Sequence, residues 1–142
     1  MKFENLVYKM IGISEAEIGS ETAMEHRKKL FEKAKKSIRI VHSNVPDETD
    51  LDSAIKRNVS IELIIGPGKN LHTLMSLTSK GIAVYELEES PVEQFDIVDG
   101  KHVRFEASIP EVQNTQYIFH NSIDSSKYLR KFSNLKEEAK KR

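Results

Sequence analysis

The chain has 142 residues, with 22 Lys and Arg against 22 Asp and Glu, 38% hydrophobic residues and no cysteine. That length suits one domain with a real hydrophobic core, and the missing cysteines remove disulfides, thiolate zinc sites and cysteine nucleophiles. A formal net charge of zero removes the global field that draws nucleic acid or anionic lipid, leaving only a local patch to do so.

No apolar run approaches the ~20 residues that a membrane span needs. Lys2, Glu4 and Lys9 interrupt the segment where a signal peptide would carry its apolar stretch. The expectation is one cytoplasmic domain over residues 1–142, residues 1–19 being an N-terminal helical extension, with no membrane association.

Taken in chain order, Phe3, Leu6, Val7, Met10 and Ile11 follow the spacing of one helix face. Ser14 and Glu17 form a capping-box pattern, which Gly19 interrupts. Ser20 can cap the next helix, whose buried stripe is Ala23, Leu30, Phe31 and Ala34. Ile38 to Val41 is a short β-branched strand ending in His42-Ser43-Asn44, and Pro46 to Asp50 reads as a loop. Leu51, Ala54 and Ile55 mark a short helix ending near Asn58.

Val59 to Ile65 alternates as a strand with burial on both faces, and Gly66-Pro67-Gly68 stops it. A helix through Leu71, Leu74, Met75 and Thr78 is closed by Gly81, and Ile82 to Leu87 is the next strand. This alternation predicts parallel strands with right-handed crossovers. Phe95–Val98 and His102–Phe105 then flank Asp99-Gly100, a hairpin signal. Tyr117 to Phe119 is a further strand, and Tyr128, Phe132, Leu135 and Ala139 mark a last helix capped by Ser122 or Asp124, with a frayed basic end at Lys140-Lys141-Arg142. The fold class expected is α/β: a single-domain mixed, mostly parallel sheet with helices on both faces.

Three stretches carry a family resemblance. One is Leu30 to Val41, a helix running straight into a strand; another is Val59 to Ile65 followed by Leu71 to Val84, where Ser79-Lys80-Gly81-Ile82 leads into the next strand. The third is the hairpin Phe95 to Val103. Together with the closing Leu129 to Ala139, they make the chain from about Glu21 to Arg142 resemble one half of a phospholipase D-like domain, and its last helix that of noncatalytic members, among them sensor domains of archaeal transcriptional regulators.

Active members carry H-x-K-x-x-x-x-D followed by a Gly-Ser pair and an Asn, the histidine attacking phosphorus and the lysine steadying its oxygens. Aligned on Asp99, the histidine position is Val92, the lysine position is Gln94, and the Gly-Ser region becomes Glu106-Ala107-Ser108-Ile109-Pro110. Valine is no nucleophile, glutamine is neutral, and Glu106 adds negative charge where phosphate would sit. The resemblance therefore implies the fold without its phosphodiester chemistry, and no catalytic residue is assigned. Asp99 also has a structural reading, as the preferred residue of a two-residue turn.

The five histidines His26, His42, His72, His102 and His120 form no H-x-x-x-H or H-x-H pair, so no metal site or cofactor is expected. His42 and His120 each follow a strand, and ligands of open α/β sheets sit beyond the carboxyl ends of parallel strands. The candidate ligand-lining residues are His42, Gln94, Glu106 and His120; Ser43, Asn44, Asn121 and Ser122 have the alternative role of capping turns. Gly66 to Asn70 lacks the spacing of a phosphate-binding loop. Lys28, Lys29, Lys33, Lys35, Lys36 and Arg39 share their helix with Glu21, Glu25 and Glu32, which reads as a solvated surface, and direct nucleic-acid binding is not expected. The functions weighed are a noncatalytic module for a small polar ligand, a homodimeric scaffold, and a phosphodiesterase needing a dimer.

Overall fold

The computed structural model describes residues 17–19, 23–109, 112–119 and 122–141, with side chains over 27–105 and 123–141. The elements begin with β1 (Glu17–Gly19), α1 (Ala23–Glu32), β2 (Ser37–His42), α2 (Glu48–Lys56), β3 (Ser60–Ile65), α3 (Leu71–Ser79) and β4 (Ala83–Glu86). They continue through β5 (Gln94–Val98), β6 (His102–Ile109), β7 (Val112–Phe119), α4 (Ser122–Glu138) and β8 (Lys140–Lys141). The expected stripe Phe3 to Ile11 and the capping pattern at Ser14 lie outside the described residues. Within the expected helical extension over 1–19, residues 17–19 form a strand, paired antiparallel with β7.

One sheet holds the strands in the order β1-β7-β6-β5-β2-β3-β4-β8. Parallel pairing is confined to β2–β3 and β3–β4, the two strand-helix-strand units read from the alternation. Every other neighbour is antiparallel. The tight turn at Asp99-Gly100 obliges β5 and β6 to run in opposite directions, and it adds an antiparallel wing where the chain stops alternating.

Side-chain alternation along the strands divides the core in two. Ile38 and Ile40 of β2, Ile61, Leu63 and Ile65 of β3, and Val84 of β4 pack against Leu30, Phe31, Leu51, Ala54, Leu74 and Leu77 of the first three helices. Val41, Ile64, Phe95, Ile97 and Val103 point the other way, toward Tyr128 and Phe132 of α4. The apolar run Leu63-Ile64-Ile65 is buried on both faces because a helix layer covers each.

Local chemistry sets the ends of these helices. Asp47 caps α2 by accepting from Thr49 N at 2.9 Å, so the helix begins inside the expected loop. Asn58, with φ 62°, closes it. Arg57 then donates to the carbonyls of Phe31 and Ala34, satisfying the end of α1 from the end of α2. The expected frayed end instead contributes Lys140 and Lys141 as a short strand against Glu86 and Tyr85, which covers part of the β4 edge.

Candidate functional site

Gln94 opens β5 at the carboxyl end of β2. Its Oε1 accepts from Ser43 N at 3.0 Å and from Ser43 Oγ at 2.8 Å. Gln94 is thus tied into the backbone turn after β2. Glu106 is the register partner of Gln94 on β6, so the two share this end of the sheet; the Glu106 side chain lies outside the described residues. His42 is the last residue of β2, and its Nδ1 accepts from Asn44 N at 3.1 Å. The backbone N–H groups of Ser43 and Asn44 are thus both bonded within this turn, and Asn44 Oδ1 accepts from Lys69 Nζ at 3.3 Å.

Behind this turn the packing is close. A Cβ at Gly66 would lie 3.0 Å from Ser90 Oγ and 3.1 Å from Ser43 O. The hydroxyl can rotate away, but the carbonyl belongs to the β2 turn that holds Gln94. Gly66→Ala is expected to cost about 1–2 kcal/mol in chemical denaturation, because it pushes that turn. An unchanged midpoint would show that the turn yields freely.

Two residues before Gln94, Val92 is fully exposed, at 101%. It stands with Pro91 on a ridge between two parts of a groove under α4. One part, about 400 Å³, is lined by Leu87, Glu88, Glu89, Ser90, Leu135 and Glu138. The other, about 300 Å³, runs along Glu93, Phe95, Lys131 and Asn134. Lys131 is held across it by Glu93 at 2.7 Å and lies 4.9 Å over the ring of Tyr128. The walls are apolar with an acidic rim, a setting that disfavours phosphate.

The opposite end of the sheet holds Asp99, at the turn between β5 and β6. Asp99 (φ 56°) and Gly100 (φ 66°) both take left-handed backbone, which Asp tolerates and Gly adopts at no cost. Lys101 N bonds to Val98 O at 3.1 Å, and Val98 pairs with His102, so the connection has three residues rather than two. The Asp99 carboxylate accepts from Lys35 N at 3.0 Å, Lys36 N at 2.7 Å and Ser37 N at 3.1 Å. Burial pushes its pKa up, but these three donors, helped by the charge of His102, outweigh it and hold the carboxyl below its ordinary range. Asp99 clamps the α1–β2 turn onto the hairpin, a role well away from Val92 and Gln94.

His120 lies outside the described residues. Strand β7 ends at Phe119 opposite Val103, and β5 pairs Gln94 with Glu106, so β7 finishes at the Asp99 end of the sheet. β7 runs antiparallel to β2, and its last residue, Phe119, lies at β2's amino end. Among the described residues no group of three or more His, Asp or Glu is placed to hold a metal ion. No helix among them is long and apolar enough to cross a membrane.

A buried ionic cluster was missed. Asp96, 1% exposed, lies beneath α1. Its carboxylate meets Arg104 Nη1 at 2.9 Å and Arg27 Nη2 at 3.2 Å. Asp96 and Arg104 are direct cross-strand partners, a charge pair at inward positions of two apolar strands. That register was the signal available in the sequence once the hairpin was read.

No protein-family profile and no curated protein sequence matches the chain. Solved structures do. TrmBL2, an archaeal chromatin protein described as showing a novel mode of DNA binding, superposes with a TM-score of 0.76 at 18% identity, over 94% of this chain and 55% of that one. This chain thus spans only about half of TrmBL2. Nuc from Salmonella typhimurium, a phospholipase D family member, gives 0.72 at 14% identity over 90% of this chain and 97% of its own. NucT from Helicobacter pylori gives 0.71 at 12% identity, over 88% and 97%.

The expectation of no direct nucleic-acid binding is overturned by TrmBL2, a DNA-binding protein of the same fold. That expectation rested on reading Lys28 to Arg39 as a solvated surface shared with Glu21, Glu25 and Glu32, and acids elsewhere on a helix do not stop a local cluster of lysines from meeting phosphate. The central parallel block, the antiparallel hairpin wing with its Asp99 turn, and these superpositions together give this chain the phospholipase D-like fold.

Proposed function

We propose that the chain is a noncatalytic binding module that takes a hydroxylated or cationic small ligand in the groove beneath α4. The observation that carries this reading is the fate of the two motif positions. Val92 has no nucleophilic atom and projects into solvent, while Gln94 is neutral and bonded to Ser43. The acidic residues Glu88, Glu89 and Glu138 along the groove suit a cation or a hydrogen-bond donor. His42 and Glu106 belong to the same end of the sheet and are proposed as neighbours of that ligand. Nucleic acid also enters as a partner on the strength of TrmBL2, with contact away from this acidic groove.

Two assays test the reading. A chromogenic phosphodiester should show no turnover above buffer, with or without divalent metal. In a thermal-shift screen, a polyamine or polyol should stabilise the protein and a phosphate ester should not. Binding at a hundredfold excess over Kd adds about 2.7 kcal/mol. Leu135→Glu, which fills the groove with charge, should abolish a polyol shift. Turnover of the phosphodiester, or stabilisation by phosphate esters alone, would overturn the proposal; a flat screen with a concentration-dependent mass would favour a homodimeric scaffold.

A further inference from the structure

The α1–β2 turn gathers lysines that outnumber the acids beside them, Glu32 and Asp99. Between residues 27 and 39 the chain carries seven Lys or Arg and one acid, Glu32. Arg27 is committed to Asp96, and Arg39 to Glu62 at 3.3 Å. Lys28 and Lys29 lie further back along α1, while Lys33, Lys35 and Lys36 stand at the turn itself, all exposed. The hairpin brings Lys101 to the same place, because Asp99, two residues before it, is bonded to the backbone of residues 35–37. The end of α2 brings Lys56, because its neighbour Arg57 is bonded to the carbonyls of Phe31 and Ala34. Among the described residues, none of these five lysines pairs with a carboxylate. Asp99 sits among them, but its oxygens are turned onto backbone N–H groups.

We infer that the lysines around this turn, Lys33, Lys35, Lys36, Lys56 and Lys101, form a contact surface for the phosphate backbone of duplex nucleic acid. Lysine is a mobile point charge that meets phosphates without reading bases, so the contact is independent of sequence. An anionic membrane is the less suitable partner. Stable membrane-surface binding adds apolar side chains to the charges, and among the described residues the large exposed hydrophobics Leu71, Met75, Val92 and Ile123 belong to none of α1, the α1–β2 turn, the end of α2 or the β5–β6 hairpin. The site lies at the end of the sheet away from Val92 and the acidic groove. It therefore goes beyond the noncatalytic reading and does not depend on it.

The test is fluorescence anisotropy of the full chain with a labelled mixed-sequence duplex. Four phosphate contacts give a slope of log affinity against log salt of about −3.6, hence a loss of roughly 150-fold between about 50 and about 200 mM salt. The variant Lys33→Gln, Lys35→Gln, Lys36→Gln, Lys101→Gln should lose most of that affinity and flatten the slope. A control with the same change in net charge, Lys69→Gln, Lys127→Gln, Arg130→Gln, Lys140→Gln, should retain it within about threefold, since these charges lie outside the contacts that set the slope. Absence of binding at low salt, a flat slope in the unmodified protein, or equal losses in the two variants would overturn the inference. So would tight binding to phosphatidylserine vesicles by a protein that ignores the duplex. None of these outcomes touches the hydrolysis assay, so failure here is distinct from failure of the noncatalytic reading.

Discussion

Asp96→Ala should destabilise the protein by about 3–5 kcal/mol, since it leaves buried guanidinium groups without the carboxylate they share. Asp96 is 1% exposed and Arg104 2%, so water cannot replace the lost partner. Arg27 approaches from α1, and its side chain is 12% exposed. Its Nε lies 3.2 Å from Oδ2, within ion-pair distance, yet makes no hydrogen bond. The two observations agree if Nε is near the carboxylate but misdirected, so the Nη2 bond is the better anchor. The cluster therefore ties a helix to two strands of the antiparallel wing through one residue.

The size of that loss does not measure what the cluster adds over an apolar core. Desolvating three charges costs free energy that their mutual attraction only partly offsets. Replacing all three, as Arg27→Met, Asp96→Leu, Arg104→Met, should restore most of the stability lost in Asp96→Ala. Urea denaturation of both variants decides this. A loss below about 1 kcal/mol for Asp96→Ala would mean that water reaches the cluster and screens it. Restoration by the apolar triple would assign the ionic cluster to fixing the register of β5 on β6 rather than to stability.

Much of this architecture was legible because periodicity and turn chemistry act locally. Ile38 to Val41, Val59 to Ile65 and Asp99-Gly100 each specify their element without help from distant residues, and the two parallel crossovers follow from their order. The start of α2 was misplaced because Pro46 to Asp50 looks like a loop, although Asp47 caps a helix there. Pairing at long range was less accessible. Nothing near Lys140 announces β4 as its partner, and the direction of β7, which separates its end from His42, depends on the hairpin count before it. At the site, Val92 and Gln94 were identified by alignment to a motif, but the bond from Ser43 to Gln94 joins residues 51 positions apart. Asp96 was hidden for a related reason: an acid within Phe95-Asp96-Ile97-Val98 looks exposed until Arg104 and Arg27 are folded onto it.

Asp99→Ala is expected to cost about 3 kcal/mol, combining lost charge-assisted hydrogen bonds with left-handed strain at a residue that has φ 56°. Asp99→Asn separates the two. Asparagine tolerates that backbone and keeps one carbonyl oxygen, and Oδ1 is the atom that now accepts from all three N–H groups. Its deficit should be about 1–2 kcal/mol, because only the charge is removed. Acid distinguishes the charge further. The folded carboxyl titrates below its ordinary value of 3.8. Its contribution is then complete well above that value and disappears as pH falls through the lower, folded value. The gap between the unmodified protein and Asp99→Asn should be present at neutral pH, begin to narrow at about pH 5 and close as pH falls through the lower, folded value. A gap that stays open in acid would show that the clamp works through geometry alone, and that the charge kept at this position contributes nothing to the turn it holds.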